Sequence, residues 1–597
     1  MIRRITLDLT GLPPTPAEVD SFISDKTSGA YDRVVDRLLA NPHFGERLAL
    51  PWLDAARYAD SNGFQQDGDN FQYVWRDWVV KAFNANMPFS EFTIEQLAGD
   101  LLPNPTQDQL IATGFNRNHM LNGEGGAIAE EQRNVILFDR VDATSTTWLG
   151  LTMACARCHD HKYDPFSQRD YYSLMAFFNN VPESGVPSGG GQYRIADPWI
   201  YIPNKEEEAE VADLTKQLTS STADDKKKIQ AQIDKIRDRW PRPMVMSDKQ
   251  PRQTHILHRG NYEEPLEAVE PATPLAFPKL GMAKMNRLDL ARWMVSPQNP
   301  LTARVEVNRI WQMFFGHGLV RTEENFGVKG EPPTQQPLLD WLAVSFRESG
   351  WDIKRLIRLI VTSNTYRQTS KVAPVLRAKD PENRFFARAS RFRLGSFALR
   401  DVALASSGLL DTRIGGKPVY PYQPKGIWDG LAITEERDFT YPQSKGDDNH
   451  RRSIYTFWRR TVAPGNMFDA SARNVCTVRA SLTSTPLHAL TMLNDVTWNE
   501  AARALAARVV PIGGDESKLR EAFRLVCARR PKPDELKVLV RALNRSRQVF
   551  ALNPKAAEEF LAQGDAPLDG RLKPIELASL ASVCLAIYNL DEAMTRE

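Results

Sequence analysis

The sequence predicts a mainly α fold: two helical domains with a helical hairpin and a small irregular β region between them. Three observations carry this reading. Apolar residues recur at helical spacing in most of the first 180 residues, from 287 to 409, and through the last hundred. A stretch rich in Lys, Glu, Asp and Gln near the middle carries two narrow apolar stripes. The β-type runs are short and interrupted by prolines.

In order, helices are expected over 16–24, 31–39, 45–58, 75–83, 92–97 and 131–149, with Pro51 kinking or dividing the third because proline lacks a backbone N–H. The polar, glycine-rich stretches SNGFQQDGDN and LNGEGGA are loops of the kind on which sites are built. At 181–192 the composition turns to Pro, Gly and Ser, which predicts a linker and ends a first domain at 1–182. Residues 204–240 read as a helical hairpin broken at TSSTADD, with Val211, Leu214 and Leu218 on one stripe and Ile229, Ile233 and Ile236 on the other. Runs such as THILH within 241–277 predict a small β element, so that 183–280 forms a middle region. The third region, 281–597, is expected to be helical over 287–295, 302–315, 337–348, 354–362, 394–409, 498–509, 518–528, 533–549 and 573–590. Within it, 411–460 is mixed and SIYTFW is a predicted strand.

The charge balance is even, 76 Lys+Arg against 74 Asp+Glu, so no whole-molecule field draws this chain of 597 residues to nucleic acid or an anionic membrane. No basic run is interleaved with aromatics, so nucleic acid is not an expected partner. No stretch approaches the ~18 apolar residues of a transmembrane helix. The opening MIRRITLDLTGLPPTP lacks the apolar core of a signal peptide. No Ser-His-Asp order, phosphate loop or H-E-x-x-H string is present, while paired carboxylates among the 74 acids stay open.

Three of the five cysteines, Cys476, Cys527 and Cys584, stand alone. Cys155 and Cys158 are followed at once by His159 in LTMACARCHDHKYDP, and C-x-x-C-H is the attachment string of c-type haem. Two thiols at this spacing meet the two vinyl groups, and the adjacent imidazole falls beneath the iron as an axial metal ligand. Two alternatives stay open: zinc held by Cys155, Cys158, His161 and one further ligand, or a reduced cysteine pair without a cofactor. On the distal side, His119 and Met120 in NRNHMLNGEGG are candidate second metal ligands, and packed interior residues are the alternative.

The segment WLGLTMACARCHDHKYDPFSQRDYYSLMAFFNNVPE resembles the signature of a domain of unknown function, number fifteen forty-nine, of planctomycete and related bacterial proteins. RRITLDLTGLPPTPAEV, GERLALPWLDAARYADSNGF and TGFNRNHMLNGEGGAIAEEQR resemble the same domain. The second half, through NPLTARVEVNRIWQMFFGHGLVRT, NFGVKGEPPT, LLDWLAVSFRESGWDIKRLIRLIVTSNTYRQTS and HRRSIYTFWRRTVAP, resembles its usual companion, number fifteen fifty-three. The resemblance implies an export signal and a cytochrome c domain ahead of this pair, and the present chain is expected to lack both. It also implies a periplasmic or cell-surface location, a cytochrome c domain or other electron carrier as partner, and an association with polysaccharide degradation.

Further candidates surround these motifs. Glu124, beside Gly125 and Gly126, is the expected proton donor or acceptor near the haem, because glycine lets backbone approach a ligand. Arg133 and Arg140, on the helix leading to the cysteines, suit haem propionates. Lys162 and Tyr163 would line the proximal side or relay protons and electrons. Arg57, Tyr58, Asp60 and Asn62, with Trp75 and Arg76, either form a sugar-binding pocket or serve as caps and ion pairs. In the second half His317, Arg451 and Arg452 belong to a basic set, with Arg304, Asn308, Arg309, Arg321, His450, Arg459 and Arg460, that either binds an anionic sugar between the domains or forms an interdomain salt-bridge network. The expected function is a haem c oxidoreductase acting on carbohydrate outside the cytoplasm. The alternatives are an electron-transfer cytochrome, or a binding or scaffold protein with a structural metal at the cysteine pair.

Overall fold

Twenty-five α-helices and two two-stranded sheets make up the regular structure among the described residues, and about 52% of the chain is helical, which makes the fold mainly α. The computed structural model describes residues 1–596 apart from 65, 189, 190, 221, 279–283, 432–439, 480 and 481. Gly189 and Gly190 of the expected linker, Ser221 of the expected hairpin break and the boundary at 280 lie outside the described residues.

The expected helices form where apolar stripes and caps coincide. Pro16–Ser24 starts with a Thr15/Glu18 capping box and a proline at its first turn, which satisfies end N–H groups that no helix can bond internally. His43–Ala55 is one helix with Pro51 inside it, so the proline does not divide it. Ala129–Thr144 passes into a π-helical turn, Ser145–Leu149, that stops at Gly150 in the left-handed region. A Cβ at Gly150 would lie 2.7 Å from the Phe326 ring, so this stop is also where two halves of the chain touch.

Helices at Ile2–Thr10, Gln107–Ala112, Gln168–Ala176, Pro486–Asn494 and Pro554–Leu561 were not expected from the pattern. Ile2–Thr10 is the most consequential, because all nine of its residues are buried. Arg3 donates to the carbonyls of Thr595 and Ala593, Arg4 to those of Tyr366 and Gln368, and Asp8 accepts from Arg596 and Tyr366. Periodicity misses a helix whose charges are internal, since it scores them as solvent-facing.

Two large apolar cores result. One gathers residues from Ile5 to Tyr366 together with Val419, Ile454 and Tyr455; the other gathers Leu394 to Ala593 together with Leu7. The hairpin Lys205–Ser220 and Ala223–Arg237 closes a separate small cluster of Val211, Ile233, Ile236 and Trp240. The small β element is an antiparallel pair, Thr254–Leu257 with Pro265–Val269.

Two segments differ from expectation. The stretch at 181–192 carries more than a linker: Val181 and Glu183 are buried, and Glu183 takes two arginines. SIYTFW is not a sheet strand but a 3-10 turn, Ser453–Tyr455, continuing into extended chain with one parallel bridge, Val419 to Thr456. Its other hydrogen-bonding partners lie in loops and helices, Trp458 exchanging bonds with Asp60, Ser453 donating to Asp401 and Tyr455 to Glu46, rather than along a neighbouring strand.

Candidate functional site

The C-x-x-C-H segment follows the Gly150 stop as a short 3-10 turn, Ala154–Arg157. Met153 and Ala156 point into the core, which leaves Cys155 and His159 exposed and Cys158 half-buried at the surface. Both thiols are free. Helix Gln168–Ala176, capped by Ser167 and Asp170, supports the turn from within. Gln168 Nε2 donates to the Arg157 and Leu257 carbonyls, both at 3.1 Å, and the Tyr172 hydroxyl donates to the Arg157 carbonyl at 2.9 Å. Cys158 Sγ meets the Arg259 carbonyl at 3.2 Å. The turn over it closes at Gly260, whose φ of +79° leaves no room for an unstrained side chain.

His159 Nδ1 lies 2.7 Å from the Asp160 carbonyl. A carbonyl only accepts, so in the neutral ring Nδ1 carries the hydrogen and Nε2 keeps a lone pair, the tautomer a metal-ligating imidazole needs. His161 is occupied differently: its Nδ1 accepts from the Asp164 amide at 2.9 Å and its side chain is buried. Among the described residues no three of His, Cys, Asp and Glu gather into a group that could hold a metal ion.

Asp164 is the hinge of the arrangement. Its Oδ1 accepts from the Val328 amide at 2.6 Å. A Cβ at Gly327 would sit 2.5 Å from the same carboxylate. The Phe326 amide donates to the Gly150 carbonyl at 2.7 Å. Thus HKYDP and FGVKG, joined by a bond between residues 164 positions apart, are locked together beside the cysteines. Residues 326–328 and 330–333 also wall a cleft of about 500 Å³ with Leu301, Arg304, Val320 and Gln336.

The proposed distal ligands turn elsewhere. His119 is buried; Nδ1 donates to the Met120 carbonyl at 2.8 Å and Nε2 faces Arg140 Nη2 at 3.4 Å. Burial, then Arg140 and Arg117, push its pKa well down, so it is a neutral interior imidazole with its lone pair in use. Met120 packs against Gly63. Arg140 grips both oxygens of Glu183, which Arg117 also meets, and Arg133 is taken up by Glu130 and Asn179. Burial raises the Glu183 carboxyl, but the two arginines outweigh it and hold the group below the usual range. These forks are therefore filled from within rather than open to propionates. Glu124 stands on the turn after Gly123, which packs on Gln66, Pro187 and Arg194, and its amide donates to Asn122.

The residues expected around a sugar are interior. Trp75 is fully buried, its ring against Tyr58 and Phe115 and its Nε1 on the Ala112 carbonyl, so neither face is available to a ligand. Tyr58 bonds Asp60, and Asn62 donates to the Arg194 carbonyl. Arg76 pairs with Asp77 and reaches the Gly416 carbonyl. Arg57, at φ +60°, meets Asp139 at 2.8 Å. Arg452 bridges Glu46, Asp401 and the Thr10 carbonyl; Arg451 lies over Tyr455 and bonds the Arg413 and Gly415 carbonyls. Arg460 donates to the carbonyls of Ser61, Arg473, Arg57 and Asn118. Arg57, Arg76 and Arg452 are taken up by ion pairs within the chain, and Asn62, Arg451 and Arg460 by backbone carbonyls. His317 is exposed beside Arg321 and Glu382.

One group near the motif is tuned toward neutrality. Asp142 accepts from the Tyr171 hydroxyl at 3.2 Å, and burial, then the Asp139 charge, raise its pKa to about 7. Arg157, a hydrogen-bond partner of Cys158, lies within its field.

Comparison with known proteins gives two matches. Residues 1–183 match PSCyt2, a protein of unknown function (DUF1549), and residues 286–543 match PSD1, a protein of unknown function (DUF1553). Neither the curated proteins nor the solved structures yield a match to the chain. No helix among the described residues is long and apolar enough to cross a membrane.

Proposed function

The chain belongs to the family that pairs a DUF1549 domain with a DUF1553 domain, and on that footing we propose that it is a c-type haem oxidoreductase working outside the cytoplasm on carbohydrate. One observation carries the haem reading: Cys155 and His159 are exposed and Cys158 is half-buried at the surface of a turn anchored by Met153 and Ala156, with the Nε2 lone pair of His159 open. That donor set fits haem c, whereas a buried, hydrogen-bonded triplet would not. The two thiols would carry the thioether bonds and His159 the axial bond. Haem c, when bound, supplies one-electron oxidation and reduction.

The residues around it support chemistry beyond simple electron carriage. His119 and Met120 are engaged in the interior, so neither residue would hold a haem carried by Cys155, Cys158 and His159. Oxidation of an alcohol releases protons, and the Asp142 carboxyl, near half-protonated at pH 7, is suited to hold or release one beside Arg157. The 500 Å³ cleft beyond Val328 lies in the size range of small-molecule sites and is edged by Arg304 and Gln336, both bonded to Asp340, and by Glu331, paired with Arg384. Carbohydrate as substrate class rests on the family resemblance.

The test is expression in a periplasm with haem-attachment machinery, followed by a haem stain on a denaturing gel and a pyridine haemochrome spectrum. The expected result is a covalent band that disappears in Cys155→Ala and Cys158→Ala, with carbon monoxide shifting the reduced spectrum. A colourless matured protein would overturn the proposal, and a six-coordinate spectrum that refuses carbon monoxide would reduce it to electron transfer.

A further inference from the structure

Beside the motif, the two family segments build one exposed face. Tyr163, 48% exposed, receives Lys329 Nζ at 4.4 Å from its ring centroid and Lys162 Nζ at 5.4 Å, with Val328 next to them 68% exposed. A cation on an exposed ring gains only about 0.5–1 kcal/mol. Two ammonium groups sharing one ring repel each other, and among the described residues neither lysine has an ion-pair partner. Intramolecular contacts therefore give little reason for both to converge there. The face is nevertheless rigid at its base, through the Asp164 bond to the Val328 amide and the close approach of Gly327. An aromatic and an aliphatic side chain at the centre, with a cationic rim on a fixed backbone, is the anatomy of a small interface prepared for an anionic partner.

We propose that Lys162, Tyr163, Val328 and Lys329 form a composite docking face for an acidic electron-carrier protein, placed next to the haem-attachment turn. The proposal rests on the haem reading above and adds the partner's chemistry and its seat. It also gives the pairing of the two domains a functional reason, since HKYDP supplies half of the face and FGVKG the other half. Electrostatic steering acts mainly on association rate and is screened by salt, which suits a transient redox contact.

The test uses the matured, reduced full chain and two small oxidants of opposite charge. Each takes one electron from the ferrous iron, ferricyanide becoming ferrocyanide and ruthenium(III) hexaammine becoming ruthenium(II). At low salt the wild type should favour ferricyanide, and K162E/K329E should lower the ratio of ferricyanide to ruthenium rates about tenfold or more, with an unchanged haem stain. An unchanged ratio would overturn the docking face. If the wild type carries no haem, the haem reading fails separately, and the face is judged on the apo chain by titration with polyaspartate. Binding that K162E/K329E abolishes supports the face; no binding, or binding of polygalacturonate alone, overturns it in its protein-partner form.

Discussion

The arginine-rich interior and the C-x-x-C-H turn are built from the same kinds of residues and do opposite things. Around Arg452 every strong donor is matched: Glu46, Asp401 and the Thr10 carbonyl take the guanidinium, all of them buried. Around Cys158 the polar atoms of Cys155 and His159 face outward with support only from behind. A polar side chain whose bonding capacity is filled by its own chain serves the fold, and one left open on an anchored turn can meet a ligand.

Experiments can break this contrast from both sides. Replacing Cys155 and Cys158 together by Ser should abolish covalent haem completely while moving the urea unfolding free energy by less than about 0.5 kcal/mol, as surface substitutions do. A large loss of stability would show that the turn is structural after all. Arg452→Met should do the reverse, costing about 3–5 kcal/mol because it strands Glu46 and Asp401 in the interior; the same urea titration reads it. A wild-type midpoint would mean that Arg452 is not a strut.

Asp142 sharpens the boundary between the two regions. Its folded pKa, about 7, lies above the unfolded carboxyl value, so the folded chain binds the extra proton and its stability falls as pH rises from about 4 to 7, then levels. Asp142→Asn removes that dependence. Its stability relative to wild type should therefore improve between pH 4 and pH 8, by at most about 4 kcal/mol, measured by urea unfolding at both pH values. A constant difference would place Asp142 in water rather than in the pocket described. The smallest expected effect is that of Gly327→Ala, about 1–3 kcal/mol from crowding against Asp164, checked by thermal melting; no change would mean that the two loops are not in tight register.

Much of the architecture was legible in the sequence because helices with one apolar face announce their period. The hairpin seam of Val211, Ile233 and Ile236 is an example, and so is the outward motif, whose chemistry lies in consecutive residues. What stayed hidden is contact at long range. Arg452 and Glu46 are 406 positions apart, and nothing local to either marks it as buried. The same applies to Glu183, which sits in a Pro, Gly and Ser-rich stretch, and to Asp164 and Lys329, which gain meaning only once HKYDP meets FGVKG. Trp75 and Tyr58 show the converse error: residue types that suit sugar rings also suit a core, and only burial distinguishes the two.

Asp8 and Arg596 form a buried pair across 588 positions, and the first helix otherwise leans on Tyr366, Ala593 and Thr595. At about 5–20 residues per second of translation, the C-terminal partners of Arg3 and Asp8 leave the ribosome roughly half a minute to two minutes after that helix does. For that interval Arg3 and Asp8 lack those partners, while Ile5 and Leu9 already have Tyr31, Val35 and Leu48 to pack on. A shortened C-terminus would therefore be felt first at the opposite end of the polypeptide.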